Sequence, residues 1–198
     1  MPTLALFDFD GTLTSRDTFP AFIQFVVGKR KYRWGILLLS PILTFYLLKI
    51  LPNYVAKMLV LRYFLEGLFI ESLQQSGESF CQKELPQYLR PAGLETINWH
   101  KKQGHRVIVI SASVDWWIKP WCESNDLELI CTRVKQEEER FTGEYDTPNC
   151  YGPEKVRRLK NRIPRLDAYT EIYAYGDSKG DREMLALAHH AFYKPWRN

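Results

Sequence analysis

The chain has 198 residues, enough for one domain with a full hydrophobic core and a smaller insert. Apolar residues make up 45% of it and charged residues 25%, a balance that excludes a disordered or fibrous protein. The formal net charge of +4 is too small to indicate a nucleic-acid partner, so we expect none, and we expect no obligate protein partner.

The first predicted element is a short buried strand at residues 4–7. Residues 17–89 then have a mainly helical pattern, interrupted by the turn-forming residues Gly28, Pro41, Pro52 and Gly67. We therefore predict a helical cap domain at residues 17–89, inserted in a core domain formed by residues 1–16 and 90–198.

The rest of the chain alternates between strand and helix patterns. We predict strands at residues 105–113, 127–134 and 171–177, and an edge strand at residues 191–195. We predict helices at residues 94–104, 114–125, 156–163 and 181–190, the second broken near Pro120, and a hairpin at residues 137–147 with its turn near Thr142 and Gly143. This alternation predicts an α/β fold with a doubly wound, mainly parallel sheet.

Three of the predicted strands end in polar residues, which are Asp8, Ser111 and Asp177. Functional sites in doubly wound sheets form outside the carboxyl ends of the strands, so we expect these side chains to share one site. A helical block inserted directly after the first strand would lie above that edge, where a lid belongs.

Asp8 and Asp10 follow the first strand directly, and two interpretations of them are open. Asp10 and Gly11 are a favoured pair for a two-residue hairpin turn. A second acidic pair, Asp177 and Asp181, favours the alternative, an active site. Carboxylates from both clusters would repel each other unless a cation lay between them, and hard oxygen ligands suit Mg²⁺. The sequence therefore predicts a magnesium site.

A metal held by carboxylates also attracts a second anion, which needs its own hydrogen-bonding and cationic partners. Ser111 supplies a hydroxyl, Gly11 and Ala112 lie in the phosphate-binding segments, and Lys155 at the start of a helix supplies positive charge. A carboxylate nucleophile with magnesium, a hydroxyl and a lysine indicates phosphoryl transfer through an aspartyl-phosphate.

The motif Asp8-Phe9-Asp10-Gly11-Thr12, followed by Ser111, Lys155 and the pair Asp177 and Asp181, resembles the four motifs of the haloacid dehalogenase superfamily in their order. The helical insert resembles the C1 cap of its phosphoserine phosphatase-like branch, on a Rossmann-like core. The resemblance implies that Asp8 is the nucleophile and that Asp10 is the general acid and base. It implies metal ligation by Asp8, Asp177 and the Asp10 backbone carbonyl, with Asp181 positioning the metal waters or Lys155.

The resemblance to phosphoserine phosphatases is incomplete at the substrate-recognising positions. Their cap glutamate lies nine residues after the nucleophile, where this chain has Asp17. Ala112 and Ser113 replace the two glycines after the motif serine, and Gly180 replaces an asparagine. A soluble phosphatase of the phosphoserine type is therefore the second hypothesis.

The cap sequence favours a lipid-linked substrate. The basic run KRKYR at residues 29–33 precedes an uncharged segment at residues 34–48 that is too short to span a bilayer. The pattern suits an interfacial segment on an anionic membrane and resembles the caps of phosphatidylglycerophosphate phosphatases in the same superfamily. The alternative is that residues 34–48 are only the buried core of the cap. Arg33 and Arg62 are cap cations that would reach the substrate.

Two further alternatives stay open. The chain would be a non-catalytic membrane or binding adaptor if the fold were kept without activity, although the intact motif set argues against this. It would be a mutase or phosphotransferase if an acceptor other than water took the phosphoryl group. Four widely spaced cysteines and a first segment without a signal-peptide pattern predict a cytoplasmic protein, peripheral on the inner face of the membrane if the interfacial interpretation holds.

Overall fold

A five-stranded parallel sheet lies at the centre of the protein in the computed structural model, which describes residues 2–197. The strands are β1 (Thr3–Phe7), β2 (Arg106–Val114), β3 (Glu128–Thr132), β4 (Val134–Glu137), β5 (Arg140–Tyr145), β6 (Glu171–Gly176) and β7 (His190–Tyr193). The sheet order is β3-β2-β1-β6-β7, and β4 and β5 form a separate antiparallel hairpin. Every pairing in the large sheet is parallel, so the predicted fold class is confirmed.

The first five α-helices after β1 form the part of the molecule that we call the cap. They are α1 (Phe19–Val27), α2 (Lys29–Leu38), α3 (Ser40–Leu47), α4 (Asn53–Leu65) and α5 (Ile70–Lys83). The helices of the rest of the chain are α6 (Pro91–Lys102), α7 (Asp115–Ser124), α8 (Pro153–Arg162) and α9 (Arg182–Leu187). Among residues 2–197, no helix combines the length and apolar character that crossing a bilayer requires.

Alternate residues of β1 supply two separate hydrophobic cores, because successive side chains of a strand point to opposite faces. Leu4 and Leu6 pack with the cluster that contains residues of α8 and α9. Ala5 and Phe7 pack with the larger cluster, which continues without interruption into the cap. The same strand that ends at Asp8 therefore anchors the cap over one face of the sheet.

Helix α7 runs without a break through Pro120, so the predicted break is wrong. A proline has no N–H to donate to the carbonyl four residues earlier, which here belongs to Trp116. That carbonyl faces Gly77 on α5, where a Cβ atom would lie only 1.8 Å from its oxygen. The thiol of Cys81 donates to the next carbonyl, that of Trp117, at 2.7 Å. Close packing against α5 thus supports the altered turn of α7.

The predicted hairpin exists, but its turn is not at Thr142 and Gly143, which lie inside β5. The turn is at Glu138 and Glu139, whose φ angles are 47° and 63°. Gly143 instead allows β5 to approach α4 closely, because a Cβ atom there would lie 2.8 Å from the Cγ of Arg62 on α4. Strand β5 therefore packs directly against the cap.

The helix predicted at residues 181–190 is shorter in the structure, where α9 ends at Leu187. The chain then becomes extended at Ala188, and the imidazole of His189 accepts a hydrogen bond from the Ile172 backbone N–H at 3.0 Å. His190 begins β7, so the predicted edge strand is confirmed.

Candidate active site

Three carboxylates meet at the carboxyl edge of the sheet. Asp8 follows β1, Asp177 follows the adjacent β6, and Asp181 lies in the turn that leads into α9. One oxygen from each of them lies within 4.8 Å of the others. A set of hard carboxylate oxygens at this spacing fits Mg²⁺, as the sequence predicts.

Gly11 makes room for this cluster. Its φ of 82° is unfavourable for other residues, and a Cβ there would lie 2.5 Å from Asp177 Oδ2. The two strands next to β1 are β2 and β6, both parallel to it, so Asp10 and Gly11 do not form a hairpin turn. The chain leaves the sheet here toward the cap. The Gly11 N–H donates to Thr14 Oγ1 at 3.1 Å.

Lys155, in the first turn of α8, lies between two of the carboxylates. Its Nζ donates to Asp8 Oδ1 and Asp181 Oδ1 at 2.6 Å each, and to the Ile110 carbonyl at 2.7 Å. Burial alone would lower the pKa of Lys155, but the adjacent carboxylates raise it above its usual value. Lys155 therefore stays charged although it is only 1% exposed.

The two carboxylates on Lys155 have opposite pKa shifts. Burial, opposed by the charge of Lys155, raises the pKa of Asp8 to about 7. Burial also acts on Asp181, but Lys155 and hydrogen bonds from Ser178 outweigh it and lower the pKa. The N–H and hydroxyl of Ser178 donate to Asp181 Oδ2 at 2.9 and 2.8 Å. Asp181 is thus a fixed anion, and Asp8 is the carboxylate whose charge depends on its surroundings.

The carboxyl group of Asp10 points away from the acidic cluster toward the cap. Its Oδ1 accepts from the backbone N–H and the hydroxyl of Thr18 at 2.7 and 2.6 Å, and its Oδ2 lies 2.5 Å from Ser113 Oγ. Trp117 Nε1 donates to the Thr18 hydroxyl at 2.8 Å. Burial, reinforced by the charge of Asp17, raises the pKa of Asp10. Three hydrogen bonds fix this carboxyl group, and its raised pKa favours the protonated form. Asp10 is therefore suited to act as a proton donor at neutral pH.

Ser111 and Ala112 lie near the end of β2, the strand next to β1 on the side opposite β6. The Ser111 side chain is buried, and its hydroxyl accepts from the Ser113 N–H at 3.1 Å. The Ala112 carbonyl accepts from the Thr132 hydroxyl on β3 at 2.8 Å, which fixes this end of the strand.

The cap contributes an ion pair beside Asp10. Lys57 on α4 lies 2.7 Å from Asp17 Oδ2, and the charges of both Asp17 and Asp10 contribute to raising the pKa of Lys57 against the effect of burial. Of the two cap cations predicted from sequence, Arg62 pairs with Glu66 at 3.3 Å beside β5, outside this group. Arg33 is exposed on α2, and within residues 2–197 no ion pair joins it to the acidic cluster.

Sequence reasoning missed several groups that complete the site. Thr12 Oγ1 lies 3.0 Å from Asp8 Oδ2 and was visible in the first motif without an assigned role. Arg197 contacts the Asp177 carboxylate and donates to the Gly11 carbonyl at 2.7 Å. Lys57 is visible in the sequence only as one of two cations in the otherwise uncharged helix α4, and no signal in the sequence joins Arg197 to the motifs.

The position of Gly180 is covered by an aromatic ring. A Cβ atom there would lie 2.2 Å from the ring of Tyr151. The tyrosine ring therefore occupies the space that a larger side chain at position 180 would need. Burial, reinforced by the charge of Asp181, raises the pKa of Tyr151.

Comparison with known proteins agrees with this geometry. The family model of haloacid dehalogenase-like hydrolases matches residues 5–186. Protein CicA of Caulobacter vibrioides is 33% identical over 201 residues, which cover 99% of this chain and 87% of the relative. The histidinol-phosphatase of Neisseria meningitidis serogroup C is 25% identical over 209 residues, covering 94% of this chain and 87% of that protein.

A solved structure shows the same fold. A substrate-bound phosphoserine phosphatase superposes with a TM-score of 0.68 at 18% identity, covering 98% of this chain and 86% of that one. At this identity the likeness concerns the path of the chain and not the substrate.

Proposed function

The chain belongs to the haloacid dehalogenase-like hydrolase family, and from that premise we propose that it is a magnesium-dependent phosphomonoesterase that works through an aspartyl-phosphate. The observation that carries the proposal is the environment of Asp8. One of its oxygens accepts from Lys155 and the other lies 3.0 Å from Thr12 Oγ1, so the carboxylate is oriented at the edge where substrate would enter.

In the first step, an Asp8 oxygen attacks phosphorus and the ester bond to the leaving oxygen breaks. The leaving oxygen takes the proton of Asp10, since an alkoxide is a poor leaving group unless it is protonated. In the second step, Asp10 accepts a proton from water as that water attacks phosphorus. The bond between phosphorus and Asp8 breaks, and inorganic phosphate and the free carboxylate result.

The remaining residues of the site bind the metal ion and stabilise the negative charge of the phosphoryl group during both steps. Asp8, Asp177 and the Asp10 backbone carbonyl would hold Mg²⁺, with Asp181 fixing Lys155 at 2.6 Å. When bound, the ion offsets the charge of the phosphoryl oxygens. Lys155 supplies positive charge beside Asp8, and Ser111 supplies a hydroxyl for a phosphoryl oxygen.

The favoured substrate is a lipid-linked phosphate such as phosphatidylglycerophosphate, with the protein in the cytoplasm and peripheral on the inner face of the membrane. Asp17 stands at the position of the cap glutamate in phosphoserine phosphatases, but Lys57 already pairs with it at 2.7 Å. Because Lys57 neutralises its charge, Asp17 is poorly suited to bind a substrate ammonium group. Lys57 instead supplies a cation for a second anionic group, such as the phosphodiester of a phospholipid.

A soluble phosphorylated small molecule is the second candidate. The fold likeness to phosphoserine phosphatase and the relationship to a histidinol-phosphatase favour it. A non-catalytic adaptor is less well supported, because such a protein would not need buried Lys155 between two carboxylates.

The activity is tested with p-nitrophenyl phosphate in the presence and absence of Mg²⁺. We expect turnover that EDTA abolishes and Mg²⁺ restores, and a loss of about a thousandfold or more in Asp8→Asn. Asp167→Asn, which changes an exposed aspartate in the same way, is the matched control. Absence of magnesium-dependent turnover, or unchanged turnover in Asp8→Asn, would refute the enzyme proposal.

The substrate class is tested separately. Phosphatidylglycerophosphate in mixed micelles is compared with phosphoserine and histidinol phosphate at equal phosphate concentration. We expect the highest kcat/KM for the lipid, and a higher value for either amino-containing substrate would favour the second candidate.

A further inference from the structure

Helices α2 and α3, the loop after them and the first turn of α4 present a large apolar surface to solvent. Its side chains are between 48% and 75% exposed, and we call them the outer cap face: Trp34, Leu37, Leu38, Phe45, Leu47, Leu48, Ile50 and Tyr54. Isolated exposed leucines are normal, but eight large apolar side chains this exposed within residues 34–54 indicate an interaction surface.

The opposite side of the same two helices already forms the contact with the cap core. Tyr32, Ile36, Ile42 and Leu43 pack against that core. Gly35 lets α2 approach α4 closely, because a Cβ there would lie 2.2 Å from the ring of Phe64. A helix on a protein surface normally has a polar outer side. Here both sides are apolar, so folding of the cap does not account for the outer one.

Positive charge lies in the same segment as the outer cap face. Five exposed basic residues lie along the same segment, namely Lys29, Arg30, Lys31, Arg33 and Lys49. No Asp or Glu occurs between residues 29 and 65. A second copy of the chain would bring these charges against each other in a two-fold interface. An anionic lipid surface would complement them.

We propose that the outer cap face is a docking surface for an anionic lipid bilayer. The apolar side chains enter the headgroup and acyl boundary, Trp34 and Tyr54 lie at the level where amphipathic rings are favoured, and the basic residues face lipid phosphates. A bilayer is where a lipid-linked substrate would be found, so this inference rests on the substrate class proposed above.

The outer cap face lies next to the helix that carries Lys57. Helix α3 packs against α4, and Lys57 of α4 pairs with Asp17 at 2.7 Å. A bilayer against α3 would therefore place its headgroups beside the helix that supplies this cation.

The test measures sedimentation of the full chain with vesicles, with no need for turnover. The vesicles contain phosphatidylcholine alone or with roughly one third phosphatidylglycerol. We expect binding only to the anionic vesicles and release between 0.1 and 1 M salt, where the screening length falls from about 10 to about 3 Å. We expect Lys29→Gln/Lys31→Gln to weaken binding roughly fivefold per charge, or roughly 25-fold together.

The apolar contribution is measured with Leu38→Gln/Leu47→Gln, which replaces two exposed side chains with residues that favour helix. We expect at least about tenfold weaker binding, with the far-UV circular dichroism spectrum and the urea midpoint of the parent chain, which show that the variant is folded. Lys160→Gln/Arg165→Gln removes two exposed charges from and beside α8, on the other face of the sheet, and is expected to bind like the parent chain.

Vesicle binding tests the docking surface, and turnover separately tests the enzyme proposal. Equal recovery in the supernatant with and without anionic vesicles overturns the docking surface, even if the protein is an active phosphatase. A concentration-dependent dimer that Leu38→Gln/Leu47→Gln converts to monomer also overturns it, in favour of self-association. Vesicle binding by a protein without turnover keeps the docking surface and refutes the enzyme proposal.

Discussion

The carboxyl edge of the sheet buries charged side chains, whereas the outer cap face exposes apolar ones. At the edge, charged side chains are buried, and each has a partner within the chain: Lys155 is 1% exposed and bonds to Asp8 and Asp181. On the outer cap face, apolar side chains such as Leu47 are 75% exposed. The first region is completed by intramolecular contacts, and the second is left for something outside the described chain.

This difference determines how strongly each region is constrained by the rest of the fold. A buried charge is costly unless it is paired and hydrogen-bonded, so the edge is rigid and depends on several strands at once. Exposed apolar groups cost little structurally and constrain no neighbour. Changes at the edge should therefore affect chemistry and stability, whereas changes on the outer cap face should affect neither.

The largest effect is expected from Asp10→Asn. The amide keeps the shape that Thr18 and Ser113 hold but cannot transfer the proton, so kcat should fall about 10²- to 10⁴-fold. Measurement with an alkyl phosphate and with p-nitrophenyl phosphate separates the steps, since p-nitrophenolate leaves without much help. An equal and small loss with both substrates would show that Asp10 does not transfer a proton.

The second prediction compares burial in the two regions directly. Phe22 of α1 is fully buried against Phe80 and Trp117, and Phe22→Ala should lower the free energy of unfolding by about 3–5 kcal/mol. Leu47→Ala should change it by less than about 0.5 kcal/mol. Urea denaturation measures both, and a large loss in Leu47→Ala would mean that the outer cap face is structural.

The third prediction concerns His100, a fully buried imidazole whose Nδ1 lies 2.8 Å from Nδ1 of His105. Burial, and then the charge of His105, lowers its pKa from 6.5 to about 4. The unfolded chain therefore takes up a proton on acidification before the folded chain does, so stability present above pH 6.5 is lost toward pH 4. We expect a loss of about 2–3 kcal/mol from this group.

The control for this prediction is His100→Gln, which should reduce the pH dependence of the free energy of unfolding in that window. Its Nε2 lies 3.0 Å from the Tyr175 hydroxyl, a contact that glutamine can replace. The same pH dependence in both proteins would assign the acid sensitivity to other groups.

The smallest effect is expected from Lys57→Gln. Removal of this cation from beside Asp10 and Asp17 should raise KM for an anionic substrate about tenfold with little change in kcat. Arg62→Gln is the matched control, because Arg62 pairs with Glu66 away from the site. An equal response of KM in both variants would mean that Lys57 has no particular role at the entrance.

Much of the fold followed from local pattern. The family was predicted correctly because the order of the motifs is specific, and the parallel sheet because strands that alternate with helices leave few other arrangements. The errors occurred where a local signal had a tertiary cause. Pro120 does not break α7, and Gly143 marks contact with α4 and not a turn.

The sequence by itself determined the order of the motifs, the burial of β1 on both faces, and the basic run of the cap that precedes an uncharged, apolar segment, since these depend on residue type and spacing. Only the tertiary structure decided that Lys57 joins Asp17, that Arg197 reaches Asp177 and that the apolar residues of α2 and α3 face outward. Contacts between residues far apart in the chain depend on how whole helices and strands pack, and no local pattern of side chains specifies that packing.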